Sequence, residues 1–371
     1  MMIRRLAAIA GVMAALQGAA VAKAQTPDPA AGPATGYPAG TVLVPGFPLA
    51  FSAFASPEAR EDLEFTQSLA ALRRAAPSNA SSPANGAPAN PLYDRWIRTH
   101  DRFAVTMTEA SIAGVGVQVF VPNQGVKPKN RNRVLINLHG GGFTSGWDTW
   151  SRTESIPIAS VAGIKVISLN YSMAPAHRFP AASEDVAAVY RELLRTHRPS
   201  EIGIYGCSAG GIITGQSMAW FDHVGLPMPA AIGLFSSYIT DVVGDSVFIS
   251  GRIGGLLPAP PGVVIPSFRT EGYLAGTRSD DPLARPSASP ELLARFPPTL
   301  LITGSRAFDV SPATRSQLDL VKAGVDARLY IWDGVDHCFT YNAATAESQE
   351  AYQITAAFFD AMMDRAAAAE R

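Results

Sequence analysis

The stretch IGIYGCSAGG, residues 202–211, runs from an apolar segment through small residues into a helix-like one. Its centre, Gly206-Cys207-Ser208-Ala209-Gly210, is G-x-S-x-G with a strand before it and a helix after it. A turn this sharp tolerates only small neighbours, and glycine accepts the strained backbone it needs. The serine hydroxyl then stands at the mouth of a cleft, with a helix N-terminus behind it that favours negative charge. Ser208 is therefore the candidate nucleophile.

One strand and loop earlier, LHGGGF (138–143) closes an apolar run. Consecutive glycines there expose backbone N–H groups that can converge on a developing oxyanion, where any side chain would obstruct them. The third donor is expected to be the N–H of Ala209, directly after the nucleophile. His337, in DGVDHCF just beyond a late strand, follows both motifs and is the candidate general base. Of the other histidines, His139 is expected to prop the glycine loop and His177 to order a loop. His100 lies before the sheet core, and His197 and His223 read as surface residues after helices.

Outward from these motifs the chain alternates strand and helix. Phe103, Val105 and Met107, then Val115, Val117, Val119 and Val121, alternate as a hairpin would. Apolar runs of strand length follow at 133–138, 165–170, 202–206, 230–235, 299–303 and 328–332, separated by helix-like segments at 182–196, 210–222, 312–323 and 346–366. This order predicts an α/β fold, with a mostly parallel eight-stranded sheet and helices on both faces. Some 60 residues rich in Pro, Gly and Ser separate 230–235 from 299–303, too many for a plain connection, and read as an insertion over the site.

The first 24 of the 371 residues carry Arg4 and Arg5, an apolar run from Leu6 to Ala22 and an A-x-A ending at Ala24, the pattern of a cleaved signal peptide. An exported protein, periplasmic or secreted, with no stable membrane insertion after cleavage, is the expectation. Gln25 to Gly46 reads as a disordered leader, Pro57 to Ala76 as a helix, and Pro77 to Pro91 as a flexible loop. Removing three basic residues with the signal shifts the net charge from −1 to about −4, which argues against a nucleic-acid partner. The two cysteines, Cys207 and Cys338, make no disulfide scaffold. Their side chains are expected to point away from the cleft as small packing residues, without bonding to each other. No H-E-x-x-H, paired C-x-x-C or G-x-x-x-x-G-K occurs, so neither a metal nor a cofactor is expected.

Taken with YSMAPAHRFPA (171–181) and DDPLARPS (280–287), these motifs make the chain resemble a bacterial esterase of the hormone-sensitive-lipase family of α/β-hydrolases, over roughly residues 100 to 360. The resemblance implies an α/β-hydrolase domain over 101–366 and a helical cap, built from the N-terminal segment (25–100) and an insertion at about 240–295. It implies cofactor-free cleavage of short- to medium-chain esters, small molecules, with oxyanion donors on Gly141, Gly142 and Ala209. A lactone or amide hydrolase would share this machinery, and homo-oligomerisation is left open.

One stretch departs from the family's pattern. In GSRAFDVS (304–311) Ala307 stands where the resemblance places the triad acid, and Asp309 lies two residues later. Asp309 can serve from an altered loop, it can be a surface or helix-capping residue that leaves the triad short of its acid, or Asp336 or Asp333 can substitute. Asp309 is preferred, because residues two apart in an extended segment point the same way. A triad without its acid would instead mark a decayed hydrolase that binds a small molecule.

Overall fold

The computed structural model describes residues 48–75, 91–254 and 272–371. The expected signal peptide and leader lie outside the described residues, as do most of the 77–91 loop and 255–271 of the insertion. Residues 51–371 make up one unit.

Within it, helix α1 (Pro57–Ala75) and the short helix α2 (Pro91–Ile97) precede a hairpin of β1 (Val105–Ile112) and β2 (Val115–Pro122). The alternating units then run β3 (Val134–Leu138), α3 (Trp150–Ala162), β4 (Lys165–Leu169), α4 (Ala181–Leu193), β5 (Ile202–Cys207), α5 (Ala209–His223) and β6 (Ala231–Phe235). The insertion carries the short helices α6 (Asp245–Phe248), α7 (Ser250–Gly254) and α8 (Pro290–Leu293). After it come β7 (Thr299–Gly304), α9 (Val310–Lys322), β8 (Ala327–Trp332) and α10 (Ala346–Ala369).

Eight strands form one sheet in the order β1-β2-β4-β3-β5-β6-β7-β8. The first two pairings are antiparallel and the rest parallel. Every residue of β3, β5, β6 and β7 is buried, which is why these strands read as unbroken apolar runs. Successive side chains go to opposite faces. Ile136, Ile204 and Leu234 join α4, α5 and α9 in one core cluster, while Leu135, Tyr205 and Phe235 join α3 and α10 in a second.

α2 and α3 were not anticipated. The buried residues of α3 are polar over its first half, Ser151, Thr153, Glu154 and Ser155, and apolar only over its second, Pro157, Ile158, Ala159 and Ala162, so no apolar stripe runs its full length for periodicity to detect. Gln67 of α1 donates to the Ile253 carbonyl of α7 at 3.1 Å, joining the N-terminal segment to the stretch between β6 and β7. No described helix is long and apolar enough to cross a membrane.

Candidate active site

The loops leaving β3, β5, β7 and β8 carry the candidate residues, all at the C-terminal edge of the parallel strands, where open α/β sheets place their sites. The register sets Leu138 beside Gly206, so the glycine loop starts next to the turn that holds Ser208.

Ser208 has φ 56° and ψ −124°, a strained conformation that only a closely held turn retains. Its N–H donates to the Phe235 carbonyl at 2.9 Å. Gly210 packs so tightly that a Cβ would lie 1.7 Å from the Leu138 carbonyl oxygen, which is why the motif needs glycine there. The hydroxyl lies 2.9 Å from His337 Nε2.

On the other side of that ring, His337 Nδ1 is 2.6 Å from Asp309 Oδ1. The acid within reach of His337 is therefore Asp309, at the end of a turn in which Ala307 donates its N–H to the Gly304 carbonyl. Asp309 begins α9 without capping it through its side chain. It is completely buried, and its Oδ2 accepts from Thr303 Oγ1 at 2.5 Å. Phe308 packs its ring 4.6 Å from the imidazole. Asp336 accepts the main-chain N–H of His337 at 2.6 Å rather than meeting its ring, and Asp333 accepts from Ser305 at 2.8 Å and from Ser52. Burial pushes Asp336 up to about 7, against the pull of that N–H.

Gly141 (φ 121°) and Gly142 (φ 63°) turn through left-handed backbone beside Ser208. A Cβ on Gly141 would sit 2.0 Å from the Ser145 carbonyl. Among the described residues, no acceptor takes the N–H of Gly141, Gly142 or Ala209. Gly140 differs, since its N–H donates to Glu154 at 2.7 Å. His139 lies buried beneath the loop, stacked on Tyr171 at 4.5 Å, with Nδ1 2.8 Å from the Gly140 carbonyl. Burial holds it neutral, lowering its pKa to about 4. His177, expected to order a loop, has an exposed side chain. A cavity of about 320 Å³ opens onto Ser208, His337, Gly141 and Gly142, walled by Trp96, Trp150 and Phe339.

Comparison with known proteins bears on this arrangement. The esterase E25 has a TM-score of 0.68 at 25% identity, covering 86% of this chain and 98% of that one. An esterase from the bacterial hormone-sensitive lipase family has a TM-score of 0.66 at 25% identity, covering 83% and 99%. An acetyl-hydrolase of Streptomyces hygroscopicus is 28% identical over 236 residues, spanning 63% of this chain and 77% of that protein. A family model described as the α/β hydrolase fold matches residues 135–341. The chain belongs to the α/β-hydrolase family, in its bacterial hormone-sensitive-lipase group.

This α/β-hydrolase corrects one expectation outright: Cys207 and Cys338 form a disulfide. Both residues are buried and belong to the same core cluster, and Cys338 also lines the cavity beside His337. Cys207 ends β5, while Cys338 adopts left-handed backbone (φ 52°), with its N–H donating to Ser236 Oγ at 2.8 Å. That turn brings its sulfur under the nucleophile's strand, and nothing in the residue spacing announces it.

Sequence reasoning also missed Glu154. Its carboxylate is buried beneath the hydrolase's glycine loop and accepts from Gly140 N–H, Asn137 Nδ2, Tyr341 Oη and Cys207 N–H. Burial raises it to about 7, with those four donors opposing the rise. No motif marks this position. Among the described residues no group of His, Cys, Asp and Glu could hold a metal ion.

Proposed function

We propose that this carboxylic ester hydrolase cleaves short- to medium-chain esters through an acyl-enzyme on Ser208. The observation that carries the reading is the unbroken chain of contacts from Ser208 Oγ through His337 to Asp309, at 2.9 and 2.6 Å. Ser208 Oγ attacks the ester carbonyl while His337 Nε2 takes its proton. The tetrahedral oxyanion draws on the N–H groups of Gly141, Gly142 and Ala209, which have no acceptor among the described residues. Collapse of the intermediate breaks the bond to the alcohol oxygen, which takes the proton back from His337. Water then loses a proton to His337 and attacks the acyl carbonyl, and collapse of this second intermediate breaks the bond to Ser208 Oγ, which takes the proton back from His337 as the acid leaves. Asp309 holds the imidazole with Nδ1 protonated and stabilises the imidazolium formed in each half-reaction.

The names of similar proteins, esterases and an acetyl-hydrolase, support an ester with a small acyl group. The apolar, aromatic wall of the cavity suits such a group. Ala307 is what favours a decayed, binding-only protein, and Asp309 2.6 Å from the base supports the enzyme reading instead. Export rests on residues 1–24 and is part of the same proposal; the mature N-terminus, read by mass spectrometry of the secreted protein, tests it. For the chemistry, Ser208→Ala is expected to abolish turnover of p-nitrophenyl acetate and butyrate and labelling by a fluorophosphonate. Turnover surviving in that variant would overturn the assignment.

A further inference from the structure

Three segments distant in sequence must hold a common register for the proposed chemistry: the glycine loop after β3, the turn after β5, and the loop carrying His337. Each sends a donor to one side chain. Glu154 Oε1 accepts the Gly140 N–H at 2.7 Å and the Tyr341 hydroxyl at 2.7 Å. Its Oε2 accepts Asn137 Nδ2 at 2.8 Å and the Cys207 N–H at 3.2 Å. Gly140 immediately precedes the two candidate oxyanion donors, Cys207 immediately precedes the nucleophile, and Tyr341 lies four residues after the base.

We propose that Glu154 is a positioning residue for ester hydrolysis, its carboxylate fixing the oxyanion donors and the nucleophile in register from beneath. The inference rests on the function proposed above, and adds a residue that touches no reacting atom.

Three of the four contacts come from groups that can only donate, the Gly140 and Cys207 N–H groups and the Asn137 NH₂, and a carboxylate accepts from all of them. All four neighbours donate, two to each oxygen. Asn137 is held from its other end as well, where its Oδ1 accepts from Ser168 Oγ at 2.7 Å. An amide in place of the carboxylate would turn an NH₂ group toward two donors, and at least one segment would have to move. The glycine loop has the least freedom to do so harmlessly. With the Gly140 N–H held below, the following two residues turn through left-handed backbone and leave their own N–H groups without an acceptor. Gly140 also sits tightly against this pair: a Cβ there would lie 2.4 Å from the Tyr341 hydroxyl and 3.4 Å from Glu154 Oε1. Oxyanion donors stabilise the transition state far more than the bound substrate. A displaced loop therefore lowers kcat with little change in KM, whereas a role confined to stability lowers the melting temperature and leaves both constants alone.

The test is Glu154→Gln, assayed with p-nitrophenyl butyrate well below its melting temperature, with folding followed by circular dichroism. The expected result is a kcat lower by about 10²-fold, the scale of losing one oxyanion donor, with KM within about threefold. A kcat within about threefold of wild type in the folded variant would overturn the proposal, whatever the melting temperature does. Should the glutamine variant not fold, Tyr341→Phe removes one donor and keeps the carboxylate. It is expected to lower kcat several-fold, and an unchanged kcat there would overturn the proposal equally. Wild type and Ser208→Ala are measured alongside: turnover that depends on Ser208 but not on Glu154 defeats this inference alone, while turnover that survives without Ser208 defeats the proposed function instead.

Discussion

The Cys207–Cys338 bridge closes a loop of 131 residues, running from the strand before the nucleophile to the residue after the base. Cross-linking a chain over that separation removes conformational entropy from the unfolded state, an effect of about 5 kcal/mol in the chain-entropy model. Domains are stable by only about 5–15 kcal/mol in all, so losing the bridge should be plainly visible. For a chain of this size the corresponding fall in melting temperature is on the order of 10 °C. Wild-type protein reduced in denaturant and refolded with reductant isolates this effect, because its side-chain volume is unchanged. The double variant Cys207→Ala/Cys338→Ala adds the small voids left by two buried sulfurs, and should melt lower still. The assay is thermal unfolding by calorimetry, oxidised against reduced, with thiols counted in denaturant. Oxidised protein should show no reactive thiol and melt about 10 °C above the reduced form. Two free thiols in non-reduced protein, or equal melting temperatures, would refute the reasoning.

Two further perturbations follow. Asp336 is pushed up to about 7 by burial, whereas an unfolded aspartate titrates near about 4. Folding thus takes up a proton between those values, and the cost of this residue grows as pH rises from about 4 to about 7 and is complete above that. Asp336→Asn is expected to raise the melting temperature more at about pH 8 than at about pH 5; equal effects at both would contradict the shift. Gly210→Ala would set a methyl 1.7 Å from the Leu138 carbonyl oxygen. Overpacking of that severity should cost at least about 3 kcal/mol and displace the nucleophile's turn, seen as an early chemical-denaturation midpoint; a midpoint like that of wild type would contradict it.

Much of this architecture is legible in the residues because the physics is local. Strands β3, β5, β6 and β7 are buried on both faces, so their composition alone reveals them. The turn holding Ser208 needs glycines at set offsets, so its spacing reveals it. What escaped notice depends on tertiary placement. Helix α3 buries polar residues in its first half, where Glu154 accepts the backbone N–H groups of Gly140 and Cys207. The disulfide depends on a left-handed residue, Cys338, whose direction no spacing rule encodes. The acid was open to several readings because Asp309 reaches His337 only through the way residues 305–308 turn after β7.

That acid is the centre of the account, and Asp309→Asn tests it most directly. The amide preserves the shape of the side chain but favours the wrong imidazole tautomer. In a Ser-His-Asp triad this lowers kcat by a factor on the order of 10⁴. The measurement is kcat/KM for p-nitrophenyl butyrate in the variant, with its melting temperature recorded to show that it is folded. A fall of about four orders of magnitude is the result the account requires. A folded variant within about tenfold of wild type would mean that His337 is served by another group, and that the contact at 2.6 Å is not the one that matters.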